Sequence, residues 1–374
     1  LLGLYYLWSS GARFAALTAI CGKIDYFCPM DLQNIRHLTQ QELTDYFLQI
    51  GEKKFRAQQV YEWIWQKQAH SFDAMSNISK ALREQLQSQF VLPALQVDAT
   101  QHSADGTIKS RFKTHDGHLV EGVLIPTDER KTACVSSQIG CSLSCKFCAT
   151  GYMDRKRNLT FDEIFDEVVL LNQQSEQVYQ KKLTNIVFMG MGEPLLNYNN
   201  VLRSIERISS EEALGMSPRR ITVSTAGVAK MIKKLGDDKV RFKLALSLHA
   251  ANDVKRNEIM PINETNNIKA LIEALNYFYK HTKNEITFEY ILFKDFNDSQ
   301  KDADELIKVF RQVPADLVNI IEYNSIDMAK FRKPDEKVVD QFMQYLSANR
   351  VNAHLRRSRG KDIDAACGQL ANKG

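Results

Sequence analysis

The densest chemistry in this 374-residue chain is one short stretch, Cys141-Ser-Leu-Ser-Cys145-Lys-Phe-Cys148. Three thiols at C-x3-C-x2-C spacing on one loop can hold three irons of a [4Fe-4S] cube. The fourth iron then has no protein ligand and can bind and activate a substrate, as an open position does in catalytic metal sites generally. The plainer alternative is a structural zinc site completed by Cys134 or a histidine. Zinc pairs normally come as two separated C-x2-C units, and no second unit is present, so the spacing favours the cluster. Cys134 and Cys367 lie outside cluster spacing, and each alone reads as a small buried hydrophobe. Seven cysteines, four of them within 134–148, do not make a secreted disulfide framework. They point to a reducing compartment and to metal or redox chemistry.

Further candidates sit at the ends of strand-like runs. GMGEP (190–194) offers small residues for close backbone approach and Glu193 as an acceptor. Ser224 lies in ITVSTAG, Ser247, Leu248 and His249 lie in LSLHA, and Asn324 ends the run LVNIIEYN. Taken singly, the glycine-rich turn is structural, His249 is a satisfied buried histidine and Ser224 is a strand-end cap. Glu121, in HLVEGVLIP, alone reads as a surface strand glutamate.

The elements that must position these residues follow from periodicity. Strand-like runs at 133–137, 185–190, 220–227, 241–249, 285–293 and 317–324 alternate with helix-length segments at 160–180, 199–210, 266–282, 299–312 and 335–348. Repeated βα units imply a parallel sheet, as a partial barrel or an open doubly wound sheet, with the working face at the C-terminal strand ends. Residues 38–93 read as helical, Thr39 capping the first helix. Phe55, Tyr61, Trp63 and Trp65 there read as core and near-core packing rather than RNA stacking. TIKSRFKTHDGHLVEGVLIP reads as a hairpin. In residues 1–29 Arg13 interrupts the apolar run, so no membrane span is expected, and a natural start is expected at Met30. A hydrophobic fraction of 44% and a charged fraction of 25% exclude long disorder, collagen and coiled coil. The net charge of +4 carries no argument for nucleic acid by itself.

Read together, ACVSSQIGCSLSCKFCATG, FMGMGEPLLNY, ITVSTAG, LALSLHA, DIDAACGQL and FRAQQVYEWIW resemble the RlmN/Cfr family of radical S-adenosylmethionine (SAM) RNA methyltransferases. The resemblance covers roughly 35–371. It implies a partial (β/α)6 radical SAM barrel with an N-terminal helical domain and a small β linker. The implied division is a non-functional extension at 1–29, a helical RNA-contact domain at 30–94, a β-hairpin linker at 95–130, the radical SAM core at 131–357 and a C-terminal segment at 358–374.

It further implies methylation of adenosine C2 in 23S rRNA and tRNA. Cys141, Cys145 and Cys148 hold the cluster, and Gly192, Glu193, Ser224, Ser247, Leu248, His249 and Asn324 contact SAM. Cys367 takes a methyl from one SAM, and a radical from a second SAM activates that methyl for addition to adenine. Cys134 then releases the product by attack on the Cys367 sulfur. Glu121 is the general base, its pKa expected to be raised by apolar neighbours. A one-electron reductant such as flavodoxin or ferredoxin is implied, with a monomer working in the cytoplasm and no membrane. Arg130, Lys131, Lys146, Arg155, Lys156, Arg157 and Arg350, Arg356, Arg357, Arg359, Lys361 bracket the cysteines and are expected to face RNA. Two alternatives stay open: Cfr-type methylation at C8, and a non-catalytic zinc- or cluster-bearing RNA-binding module.

Overall fold

The computed structural model describes residues 32–373. The expected extension at 1–29 and the start at Met30 lie outside the described residues.

Three helices open the described chain: α1 (Gln40–Gln49), α2 (Lys54–Trp65) and α3 (Lys80–Gln89). A capping box starts α1, with Thr39 and Glu42 each accepting the other's backbone N–H. Leu43, Phe47, Val60, Ile64, Trp65, Leu82 and Leu86 are buried between the helices. Tyr61 is buried as expected, but Trp63 is half-buried and Phe55 is exposed, with Arg56 over its ring. The packing expectation thus fails for Phe55, which sits on the outer face of α2.

The helical unit is docked on α4 (Phe161–Tyr179). Trp65 meets Phe161 and Phe165 with ring centroids 5.9 and 5.4 Å away. Beside them the buried Arg36 guanidinium donates to both oxygens of Asp166, at 2.8 and 2.6 Å.

The core is one ten-stranded sheet whose spatial order is its sequence order. The strands are β1 (Gln96–His102), β2 (Ile108–Lys113), β3 (Leu119–Pro126), β4 (Lys131–Cys134), β5 (Asn185–Phe188), β6 (Ile221–Thr225), β7 (Lys243–Ser247), β8 (Ile286–Leu292), β9 (Leu317–Glu322) and β10 (Ala353–Arg356). Strands β4 to β10 are parallel. Their crossovers carry α4, α5 (Tyr198–Ser209), α6 (Ala229–Asp237), α7 (Asp253–Ile259) with α8 (Ile268–Thr282), α9 (Gln300–Phe310) and α10 (Glu336–Ala348). Helices over the parallel strands force continuous apolar runs, and all seven residues of β8 are buried.

Two expectations are corrected here. A seventh parallel strand, β10, follows the six expected, because its four residues AHLR are too short and too polar to signal a buried strand. The segment 95–130, expected as a β-hairpin linker, forms three strands of the core sheet. Strands β1, β2 and β3 pair antiparallel and join the core through β3 on β4, with Val123 opposite Cys134. The fold is the expected radical SAM partial barrel, enlarged on one side by this meander. Among the described residues no helix is long and apolar enough to cross a membrane.

Candidate active site

Strand β4 ends at Cys134, and the chain then turns over the top of the sheet. Ser136 fixes that turn. Its backbone N–H donates to the Glu167 carboxylate at 2.8 Å, and its hydroxyl donates to the Glu121 carbonyl at 2.6 Å. Two glycines permit the close approaches that follow. A Cβ on Gly140 would lie 2.2 Å from the Asp154 carbonyl oxygen, and one on Gly192 would lie 2.5 Å from Gln138 Cβ. Both have positive φ, +75° and +92°.

The cysteine loop, residues 141–148, is anchored on two sides. Leu143 and Phe147 pack in an apolar cluster with Met260, Phe293 and Tyr323. The Lys146 N–H donates to the Ile259 carbonyl at 3.0 Å. On the other side the C-terminal segment lies across the loop. The Ala149 N–H donates to the Gly368 carbonyl at 2.7 Å, and the Thr150 hydroxyl to the Leu370 carbonyl at 2.7 Å.

A cavity opens at these strand ends. Cys141, Cys145, Cys148, Cys134 and Cys367 all line it, and all five are free. Gly192, Glu193, Ser224, Ser247 and His249 also line it. Burial pushes the Cys141 thiol up to about 11, and lifts Cys145 well above the usual range, with the charges of Cys148 and Cys141 adding to the rise. Cys148 is also raised, again by burial first. Among the described residues no three His, Cys, Asp or Glu side chains close around a single ion. A zinc ion would draw its thiolates to about 2.3 Å from one centre. A [4Fe-4S] cube spreads three thiolates over three irons. The donor set fits the cube.

Burial pushes Cys134 up to about 12, with the Cys367 thiol adding to the rise. Burial also pushes the Cys367 thiol up to about 11, against the pull of the Arg356 charge, although the residue keeps solvent exposure. The two thiols thus line one cavity although they belong to opposite ends of the core.

The remaining sequence candidates divide. The buried Glu193 carboxylate accepts the Leu195 N–H at 3.0 Å and the Ala226 N–H at 2.7 Å, tying β5 to β6. Ser224 and Ser247 hydroxyls lie 3.2 Å apart. His249 adopts φ +54°, and its Nδ1 accepts the Ile291 N–H at 3.1 Å. Burial, and then the Arg256 charge, lowers its pKa to about 3, so the ring is neutral.

Three candidates do not reach the cavity. Leu248 is fully buried beneath it. Asn324 turns to the C-terminal segment, donating to Ser358 Oγ at 2.9 Å and to the Cys367 carbonyl at 3.3 Å. Glu121 is wholly buried behind that segment, and its Oε2 accepts the N–H groups of Ala371 at 2.9 Å and Asn372 at 3.0 Å. Its expected apolar surroundings are wrong as well. Lys109, diagonal to it across the β2–β3 pair, places Nζ 3.4 Å from Oε1. A cross-strand cation of this kind is invisible before the register is known.

The basic residues are also partly redirected. Lys131 is buried, Arg157 is paired with Asp116 and Glu163, and Lys361 is paired with Glu322. Sequence reasoning missed Arg256, whose buried guanidinium donates to the carbonyls of Leu248, Ala226 and Ser247 and so clamps the ends of β6 and β7. It also missed Glu289, although a glutamate inside the apolar run EITFEYILF was a visible signal.

Comparison with known proteins agrees with this geometry. Residues 33–92 match the ribosomal RNA large subunit methyltransferase N-terminal domain, and residues 135–307 match the radical SAM superfamily. The chain is 56% identical to a probable dual-specificity RNA methyltransferase RlmN of Cytophaga hutchinsonii, over 93% of this chain and 97% of that protein. It is 53% identical to the similarly named protein of Christiangramia forsetii, over 93% of this chain and 99% of that one. A crystal structure of a radical SAM methyltransferase from Sphaerobacter thermophilus superposes with a TM-score of 0.86 at 38% identity, covering 91% of this chain and all of that one. With relatives this similar over nearly their whole length, the chain belongs to the RlmN family of radical SAM RNA methyltransferases.

Proposed function

We propose that this protein methylates C2 of a specific adenosine in 23S rRNA and in tRNA, with Cys367 as methyl carrier and Cys134 as the releasing thiol. The observation that carries the reading is the meeting of Cys134 and Cys367 in the cavity that also holds Cys141, Cys145 and Cys148. Substitution at C2, rather than the Cfr-type position C8, follows the RlmN side of the resemblance.

Cys141, Cys145 and Cys148 would hold a [4Fe-4S] cluster, with Gly192, Glu193, Ser224, Ser247 and His249 shaping the space for SAM. When bound, cluster and SAM together supply a carbon radical able to take a hydrogen atom from a methyl group. A flavodoxin- or ferredoxin-type protein supplies the electron. Adenine C2 is not nucleophilic, so a radical route is what the substrate requires.

The chain's own residues do the rest. The Cys367 thiolate displaces the first methyl from the sulfonium sulfur. After the carbon–carbon bond to adenine has formed, Glu121 takes the C2 proton and the remaining unpaired electron leaves to the flavodoxin- or ferredoxin-type carrier, so that the ring is aromatic again. For this the C-terminal segment must first leave the Glu121 carboxylate. The Cys134 thiolate then attacks the Cys367 sulfur. The S–S bond forms, the S–CH2 bond breaks, and its electron pair stays on the ring-stabilised carbon, which takes a proton to become methyl. An external dithiol reduces the disulfide. The protein acts as a cytoplasmic monomer.

The test is nucleoside mass spectrometry of 23S rRNA and tRNA from a methylation-deficient host, treated with the anaerobically reconstituted protein. Formation of 2-methyladenosine is expected in both. Formation of 8-methyladenosine, or of no methylated adenosine, overturns the reading.

A further inference from the structure

The releasing step needs a thiolate, yet the surroundings of Cys134 oppose charge on its sulfur. Glu167 approaches from α4 and Cys367 from the C-terminal segment, each adding to the burial that raises the thiol. Just past the end of β5, the Met189 N–H faces the sulfur. On β3 the partner is the apolar Val123, and the Glu121 carboxylate is turned away to Ala371. One charged group remains on the favourable side. Arg356, the last residue of β10, lines the same cavity wall as Cys134 and Cys367. It is the one positively charged side chain among the described residues lining that cavity, since His249 is neutral.

The guanidinium is aimed by its neighbours. Its Nη1 lies 3.7 Å from the sulfur of Met189, the residue whose backbone faces Cys134. On its other side Glu289 Oε2 lies 3.6 Å from Nη1, beyond hydrogen-bond length. That oxygen is buried and accepts no hydrogen bond, while Oε1 accepts the Asn319 amide at 2.7 Å. A carboxylate held short of full contact steers the guanidinium without saturating its donors. Its negative charge also offsets part of the guanidinium's positive charge.

We propose that Arg356 is a positioning residue that stabilises the Cys134 thiolate, and that Glu289, seated on Asn319, aims Arg356 and sets the strength of its effect. The proposal rests on Cys134 being the releasing thiol. It predicts effects of opposite sign at two residues that touch each other. Removing the cation makes Cys134 harder to ionise. Removing the anion makes it easier, because Arg356 is then less neutralised.

The experiment is pH-dependent alkylation of the full-length protein with iodoacetamide, which reacts with thiolate, followed at the Cys134 peptide by mass spectrometry. Arg356→Gln is expected to slow Cys134 alkylation at pH 8 about tenfold, as for a shift of about one pH unit on loss of an opposite charge. Arg356→Lys is expected to restore most of the rate, and Glu289→Gln to exceed the parent rate. A general loosening of the fold moves both Gln variants the same way. Shifts of equal sign, or an unmoved profile in all three variants, overturn the proposal. If Arg356→Gln does not fold, an unmoved or slowed profile in Glu289→Gln overturns it alone. The mechanism it rests on is tested separately by RNA crosslinking of Cys134→Ala, so shifted alkylation without any crosslink would overturn the releasing role and leave the electrostatics.

Discussion

Glu121, in the middle of β3, accepts the backbone N–H of Ala371, 250 positions later, at 2.9 Å. With the Asn372 N–H at 3.0 Å on the same oxygen, the carboxylate straps down the C-terminal segment that carries Cys367. In the proposed reading, latch and base are two uses of one group. Glu121→Gln keeps an acceptor for the strap but cannot take a proton. Its hydrogen exchange at Ala371 and Asn372 should match the parent, while methylation falls at least 100-fold, the usual weight of general base catalysis. Glu121→Ala should lose both, with each stranded N–H costing about 1–3 kcal/mol. Full methylation by Glu121→Gln would remove the base assignment.

His249 should give the fold a specific acid sensitivity. Its folded pKa, about 3, lies below the ordinary histidine value because the ring is buried and faces Arg256. Below about pH 6.5 the unfolded chain binds a proton that the folded chain refuses. The stability His249 lends is therefore complete above about pH 6.5 and is lost progressively as the pH falls toward 3. Between pH 6.5 and 5 the parent should lose about 1.5 kcal/mol that His249→Gln does not lose, measured by urea unfolding. Equal slopes for the two proteins would contradict the neutral, buried ring.

Arg36 pins the helical domain to α4 through Asp166 at 2.6 Å, with Asp162 at 3.9 Å. Arg36→Met removes the cation facing buried Asp166, which keeps only the Leu95 N–H, and should cost about 3–5 kcal/mol, read as a lowered unfolding midpoint. A loss under about 1 kcal/mol would mean that the aromatic contacts of Trp65 hold the two parts together alone.

Cys145→Ala should bind less iron and acid-labile sulfide than the parent after anaerobic reconstitution, and should not cleave SAM. Retention of full iron and SAM cleavage would place the cluster elsewhere.

Much of this molecule was legible in its sequence, for reasons that can be named. Strands β5, β7, β8 and β9 are mostly apolar runs, since helices cover the sheet, and such runs stand out against amphipathic helices. The cysteines were legible because their spacing is local. What stayed hidden is what register and long-range closure create. Lys109 reaches Glu121 only through the β2–β3 pairing, and Asn324 reaches Cys367 only when the C-terminal segment folds back. Arg356 read as one of several basic residues until β10 placed it in the cavity. Phe55 obeys the helical period, yet nothing packs against that face of α2 among the described residues, so periodicity alone misjudged it.

The central claim is that Cys367 and Cys134 act in succession, and a denaturing gel of two variants expressed in cells tests it most directly. Cys367 must carry the methyl, so Cys367→Ala should form no adduct with RNA. Cys134 is needed only to cut the adduct, so Cys134→Ala should accumulate a shifted band that ribonuclease removes. Two packing cysteines would instead each cost some stability and trap nothing. A ribonuclease-sensitive band in Cys134→Ala and none in Cys367→Ala is the predicted result. The same pattern in both variants, with or without a band, would contradict the account.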